Sequence, residues 1–153
     1  MKKIIVFCIV LLMVSCKSKT PSSDTKKEAT VVKPSDVAIV KKQRAEDLGT
    51  RLLETCNVSK FKNFSTNEAT ERVRKNATKE KIAAVCQKIN QRNGRFLGIN
   101  LIDIKYNKNA DEYLFRYAIA YQKKYHKREL FVTINTENKV SAISTKEVPT
   151  KPM

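Results

Sequence analysis

Cys16 carries the side chain whose chemistry the sequence defines most closely. It follows Ser15 at the end of a short apolar run, Ile4–Val14, which two lysines precede. As a helix this run would be about 16 Å long, too short to cross a hydrocarbon core of about 30 Å. A positive start, a short apolar stretch and a small residue before a break are typical of a secretory signal peptide. We therefore predict that residues 1–15 are a cleaved signal peptide.

The four residues Met13-Val14-Ser15-Cys16 resemble a lipobox, the processing site of bacterial lipoproteins. In that family a small residue precedes an invariant cysteine, which is lipidated on sulfur and becomes the new amino terminus. Ser15 and Cys16 match the two strictest positions, whereas Met13 replaces the commonest leucine. The resemblance implies that Cys16 is lipidated and anchors the domain in the bacterial cell envelope. The alternative is an ordinary signal peptide in which Cys16 is incidental.

The resemblance also implies which membrane holds the anchor. Several acyl chains attach a protein stably where one chain does not. Lys17 stands where some bacteria place an aspartate that retains lipoproteins in the inner membrane, so the outer membrane is favoured. Lys17 and Lys19 would then lie at the headgroup level, where anionic lipid adds about 1 kcal/mol of binding per basic residue.

A basic excess runs along the whole chain. The net charge is +16 for 153 residues, and it is +14 without residues 1–15. Basic surfaces attract the phosphates of nucleic acids, but export from the cytoplasm argues against a nucleic-acid partner. Anionic envelope surfaces are the acidic neighbours that we expect. The alternative is a lysine-rich surface that only contacts solvent.

Cys56 and Cys86 are the two cysteines left after the signal peptide and the lipidated residue are set aside. An exported protein can form disulfides, and a bridge here would close a loop of about 30 residues, worth about 3.5 kcal/mol. The alternative is two free, buried cysteines. The chain has no C-x-x-C motif, so a redox role is not predicted.

The spacing of apolar residues predicts three helices in the first half of the chain. Val37, Val40, Leu48 and Leu52 recur at helical spacing, and Ser35 or Asp36 can cap the helix. Ser65-Thr66-Asn67-Glu68 fits a capping box, and Thr78 can cap a third helix that Asn93-Gly94 ends. The predicted helices are 36–56, about 66–75, and a third between Thr78 and Asn93.

After Gly98 the spacing changes to the alternation typical of strands. The run from Glu112 to Tyr121 has large residues at every odd position, which favours a strand because tyrosine, phenylalanine and isoleucine fit pleated surfaces. Tyr113, Tyr117 and Tyr121 also lie four apart, so a helix is the alternative. The predicted strands begin near residues 99, 112, 130 and 140.

Helices followed by a four-stranded antiparallel meander predict an α+β fold with an apolar and a wet sheet face. This order of elements, with its closing strand–turn–strand, resembles the cystatin-like or nuclear transport factor 2-like superfamily over about residues 37–146. The predicted organisation is a signal peptide (1–15), a lipidated disordered tether (16–35), one α+β domain (36–146) and a flexible tail (147–153).

That superfamily includes ketosteroid isomerases, which need a carboxylate base and acidic donors in an apolar cone. Asp103 with Tyr113, Tyr117 or Tyr121 could supply such groups, but Asp103 alternates with Ile102 and Ile104 and should lie on the wet face. His126 lies among lysines that would repel a metal cation, so we predict an exposed turn histidine, no metal site and no cofactor.

Two basic clusters are candidate binding surfaces. Cations beside aromatic residues suit an anionic surface or an acidic partner. We therefore predict a non-enzymatic binding module, with a ketosteroid isomerase-type enzyme and an inhibitor or immunity-type protein as alternatives. The favoured cluster contains Lys123, Lys124, Lys127 and Arg128, flanked by Tyr121 and Tyr125. The second cluster, near the predicted second helix, contains Arg72, Arg74, Lys75, Lys79 and Lys81.

Overall fold

The computed structural model describes residues 29–149. They form an antiparallel sheet of five strands in the order β1-β2-β3-β4-β5, together with three α-helices. The helices are α1 (Ile39–Val58), α2 (Glu71–Asn76) and α3 (Lys79–Asn93), and a 3₁₀ turn, Pro34–Asp36, precedes them. The strands are β1 (Ala29–Val32), β2 (Phe96–Asn107), β3 (Glu112–Tyr121), β4 (Arg128–Ile134) and β5 (Val140–Glu147). Cys16, the predicted signal peptide and residues 150–153 lie outside the described part.

The sheet has one buried and one half-exposed face, as the sequence predicts. In β3, Phe115, Tyr117, Ile119 and Tyr121 are buried while the residues between them are half-exposed. This alternation confirms the strand and rules out the helix that the tyrosine spacing allowed. Helix α1 packs on the buried face so closely that a Cβ on Gly49 would lie 2.6 Å from Leu130 Cδ2. We call the buried face the inner face.

The sheet has five strands rather than the predicted four. The additional strand, β1, pairs with β2 from Ala29 opposite Asn107 to Val32 opposite Ile104. It falls within the segment predicted to be a disordered tether, and residues 16–28 of that segment are outside the described part. The sequence did not predict this strand because it is only four residues long and its surroundings are polar and proline-rich. Thr30, Val31 and Val32 are nevertheless β-branched, as is typical of strands.

The second helix differs most from its prediction, since it spans Glu71–Asn76 rather than 66–75. Glu68 does accept a hydrogen bond from the Ser65 amide, at 2.8 Å, as in a capping box. The backbone then stays extended, because Thr70 donates to the Val140 carbonyl and Val140 donates to the Glu68 carbonyl. This pairing with β5 delays the helix until Glu71. The predicted cap of α3 is confirmed, because Thr78 Oγ1 accepts from the Lys81 amide.

Candidate binding surface

The favoured basic cluster falls on the loop between β3 and β4, residues 122–127, which we call the basic loop. Lys123, Lys124 and Lys127 are exposed there, and Tyr125 is 79% exposed. A tyrosine this exposed next to three lysines offers an apolar ring and a positive field to the same partner. The structure therefore brings together four of the six residues that the sequence singled out.

Asn93, the last residue of α3, holds the basic loop against the helix. It is 1% exposed, and its side-chain amide donates to the His126 carbonyl at 2.7 Å. Its own carbonyl accepts from the Lys123 amide at 2.9 Å. One buried residue thus binds the loop at both ends, which limits the conformations that its lysines can sample.

Gly94 allows the chain to turn from α3 toward β2 beside this loop. Its φ of +72° with ψ of −158° is a backbone conformation that side chains disfavour. A Cβ at this position would also lie 3.2 Å from Gln122 Cβ. The Gln122 amide donates to the carbonyl of Arg95, the residue after Gly94, at 2.9 Å, and this bond holds Gln122 close to Gly94.

Tyr121 does not lie on the surface of the basic loop. It is the last inner-face residue of β3, 6% exposed, with its ring edge-on to Phe96 at 6.3 Å between centroids. Burial raises the pKa of its hydroxyl, which has no hydrogen-bond partner among the described residues. The sequence placed Tyr121 beside the lysines correctly, but its odd-numbered position in β3 directs the ring inward.

Arg128 also lies on the inner face, with a side chain only 16% exposed. Its Nη2 donates to Thr145 Oγ1 at 2.9 Å, and its Nη1 is 3.7 Å from a Glu147 carboxylate oxygen. The register of β4 and β5, which places Arg128 opposite Glu147, explains this arrangement. Arg128 therefore belongs to a different surface from Lys123, Lys124 and Lys127.

The Glu147 carboxylate contacts three basic side chains, which the sequence did not predict. Its carboxylate lies 3.1 Å from Arg92 Nη2 and 3.2 Å from His126 Nδ1, besides the contact with Arg128. His126 is half-exposed rather than a free turn residue. The sequence assigned Glu147 to the flexible tail because no local pattern indicates that β5 continues to this residue.

A disulfide joins Cys56 of α1 to Cys86 of α3, two residues whose pairing the sequence left open. Both are buried, and Asn90 Nδ2 adds a hydrogen bond of 2.6 Å to the Cys56 carbonyl. These links fix α3 to α1. Because α3 carries Asn93, they also fix the helix end on which the basic loop rests.

The second basic cluster is split between two surfaces. Arg72 donates to the Ser141 carbonyl at 2.9 Å and faces β5. Arg74, Lys75 and Lys79 instead line a depression of about 570 Å³ between α2 and α3. Lys75 forms an ion pair with Glu71, one helical turn earlier. The five residues therefore do not form one continuous patch.

Asp103 does not share a cavity with the tyrosines that an isomerase-type site would need. It lies on the half-exposed sheet face, where Arg116 binds its carboxylate in a bidentate ion pair of 2.7 and 3.2 Å. Tyr117 and Tyr121 lie on the opposite, inner face. The wet-face prediction is confirmed, although an irregularity between Leu101 and Asp103 leaves Ile102 42% exposed instead of buried.

Comparison with protein-family models, curated proteins and solved structures finds no match to this chain. Within residues 29–149, no helix is long and apolar enough to span a membrane. The same residues contain no group of three or more histidine, cysteine or acidic side chains that could hold a metal ion. The geometry of the site itself is therefore what supports a function.

Proposed function

We propose that this chain is a lipid-anchored cell-envelope protein whose α+β domain is a non-enzymatic binding module for an anionic envelope surface. The lipobox-like sequence ending at Cys16 supports the anchor and favours the outer membrane. The order of helices before an antiparallel meander supports a cystatin-like or nuclear transport factor 2-like fold. The single observation that carries the binding role is the basic loop.

The basic loop suits this role because its charge is both exposed and held in place. Lys123, Lys124 and Lys127 are all exposed, although the Lys123 ammonium also donates to the Gln91 carbonyl at 3.0 Å. Asn93 binds the backbone of the same loop. A preorganised loop loses less conformational entropy on binding than a mobile one. Basic residues at an anionic surface contribute about 1 kcal/mol each, and the aromatic ring adds interfacial affinity.

The position of β1 relates the loop to the proposed anchor. Ala29 pairs with Asn107 at one end of the sheet, the end at which β3 begins. The basic loop lies at the opposite end, directly after the last residue of β3. The ten residues of β3 separate these two ends by about 30 Å. Residues 16–28 could span at most about 45 Å if extended. The domain could thus place the loop on the bilayer that holds Cys16.

Vesicle binding tests the role of the basic loop. The secreted chain (residues 16–153) with Cys16→Ser would be mixed with vesicles of phosphatidylcholine, with or without one third phosphatidylglycerol, across a salt series. We expect binding only to the anionic vesicles, weakening as salt screens the charges. The triple variant Lys123→Glu, Lys124→Glu, Lys127→Glu should weaken it by roughly 100-fold or more.

A matched control separates the loop from the general basic excess. Lys60, Lys62 and Lys108 are exposed and lie outside the basic loop, so reversing all three changes the net charge equally. This control should retain most of the binding. Equal losses in both variants, or binding that ignores salt, would exclude the basic loop as the binding surface. Binding to an acidic protein but not to vesicles would favour an inhibitor-type role.

Fractionation tests the anchor independently of the loop. Lipidated protein should remain with the membranes, whereas the Cys16→Ser variant should be released or should retain its signal peptide. Mass spectrometry of the amino terminus would identify acyl chains on Cys16. Unchanged membrane residence and mass in the variant would contradict lipidation at this residue.

A further inference from the structure

A groove runs between β5 and the helices, on a surface distinct from the basic loop. Its two parts have volumes of about 410 and 330 Å³ and are continuous, because Leu52, Ile82 and Ile143 line both. The first part also borders α2, and the second extends along α3 to the Cys56–Cys86 disulfide. Most of the side chains along it are apolar, including Val85, which is 50% exposed.

The groove follows the open edge of β5. Five consecutive residues, Ser141–Thr145, line it. Successive side chains point to opposite faces of a sheet, so consecutive residues can line one groove only when it runs along the strand's edge. β5 is the last strand of the sheet, and its isolated bridge to Ala69 reaches only Val140. Beyond Ser141 no other described strand pairs with this edge.

An arginine borders the groove near each end. Arg72 reaches the carbonyl of Ser141, and Arg128 reaches the hydroxyl of Thr145. Ser141 and Thr145 are four residue steps apart along the strand, a distance of about 13 Å. Arg72 has no ion-pair partner within residues 29–149, while Arg128 shares Glu147 with Arg92 and His126. The Arg72 guanidinium can therefore donate to a carboxylate of a partner, and Arg128 has only a shared carboxylate of its own.

We propose that this groove binds an extended acidic segment of a partner protein, which adds a sixth strand beside β5. Backbone hydrogen bonds to the open edge would hold the segment, as in other cases of strand addition. Side chains at positions i, i+2 and i+4 of a strand face the same way. Carboxylates at i and i+4 would reach Arg72 and Arg128, and an apolar residue at i+2 would pack between Leu52, Ile82 and Ile143.

The positive charge of the groove and of the whole chain favours an acidic partner over a second copy of this chain. The groove has an arginine at both ends and apolar residues between them, and the whole chain carries a net charge of +16. Two copies would therefore repel each other. An acidic segment is attracted by the same field. The proposal is independent of the basic loop, so a failure of vesicle binding would leave it intact.

A peptide selection tests the groove. The secreted chain with Cys16→Ser would be immobilised and screened against a phage-displayed library of random twelve-residue peptides. We expect enrichment of peptides with two acidic residues four apart and an apolar residue midway. The best peptide would then be labelled and titrated by fluorescence anisotropy, and amide protection of β5 in its presence would show pairing along the edge.

Two groove variants and two matched controls decide where the peptide binds. Val85→Asp and Arg72→Glu alter exposed groove residues, and each should weaken binding at least about tenfold. Ala83→Asp, on another side of α3 and outside both parts of the groove, and Arg95→Glu, beyond the end of α3, make the same charge changes elsewhere. These controls should bind within about twofold of the parent chain, and circular dichroism would verify that all four variants fold.

Several results would overturn the proposal. These are no enrichment over the bare support, enrichment of peptides without carboxylates, and binding that the groove and control variants reduce equally. Sedimentation of the parent chain provides a further check. A dimer that Val85→Asp dissociates and Ala83→Asp does not would show that a second copy, rather than an acidic partner, occupies the groove.

Discussion

Asn93 donates a hydrogen bond of 2.7 Å from its side-chain amide to the carbonyl of His126, across 33 positions of sequence. This bond connects the end of α3 to the second half of the basic loop. The disulfide then connects α3 to α1, and α1 packs on the inner face of the sheet. Asn93 thus ties the basic loop to the core, together with the bond from the Gln122 amide to Arg95 and the contact of His126 with Glu147.

Replacing that asparagine should release the loop. In Asn93→Ala the His126 carbonyl loses its donor, and we expect a loss of about 1–3 kcal/mol in the free energy of unfolding. Amides of residues 122–127 should exchange faster by hydrogen–deuterium exchange, and vesicle binding should weaken although no charge has changed. Asn93→Leu keeps a similar volume and adds no charge but cannot donate, and it should behave similarly. Unchanged exchange in both variants would contradict an anchoring role.

The basic loop also illustrates what the sequence could and could not predict. Alternation placed β3 correctly, and the lysine-rich turn after it was visible by composition. The same alternation directs Tyr121 inward, so the grouping of Tyr121 with the exposed lysines was wrong. The burial of Arg128 depends on its register with Glu147. Glu147 is 19 residues from Arg128 in the sequence, and no local pattern encodes such a pairing.

Longer-range relationships account for the other differences. Strand β1 is four residues long and is stabilised by pairing with β2, more than 70 positions away. The extended segment before α2 is held by β5, which the capping-box pattern at Ser65–Glu68 could not indicate. The groove likewise arises where β5 passes α3. Local patterns therefore predicted elements, whereas tertiary pairing set their ends and the surfaces between them.

Low pH should weaken the link between Arg51 and Glu68. Hydrogen bonds from the Arg51 guanidinium, at 2.8 and 3.0 Å, lower the pKa of the Glu68 carboxyl from 4.5 to about 2. Because the pKa is lower in the folded state, the stabilisation is complete above pH 4.5 and is lost as the pH falls from about 4.5 to about 2.

Urea unfolding of the parent chain and of Glu68→Gln across this range would test the link. We expect the variant to be less stable by about 1–2 kcal/mol at pH 7, between the values for exposed and buried ion pairs. The difference should shrink steadily below pH 4.5. Glu71→Gln, which removes the exposed pair with Lys75, should show little difference at any pH. A constant difference for Glu68→Gln would be inconsistent with the lowered pKa.

Removal of the disulfide should destabilise the domain without changing its fold. Cys56 and Cys86 are 30 positions apart, and cross-links of this span contribute about 2–4 kcal/mol. Cys56→Ala with Cys86→Ala should therefore unfold at lower urea concentration. Reduced parent protein is the control, since it lacks the bond but keeps both sulfur atoms. Equal stability of oxidised and reduced parent protein would refute a stabilising disulfide.

Two glycines provide a matched test of how the chain turns from α3 into β2. Gly94 has a φ of +72°, and a Cβ there would lie only 3.2 Å from Gln122 Cβ, whereas a Cβ on Gly98 would meet nothing within 4 Å. Gly94→Ala should therefore lower the free energy of unfolding by about 1–3 kcal/mol, and Gly98→Ala should change it by less than about 0.5 kcal/mol. Thermal or urea unfolding would measure both, and equal effects of the two substitutions would argue against this account of the turn.

Because Gln122 begins the basic loop, Gly94→Ala should also speed amide exchange of residues 122–127.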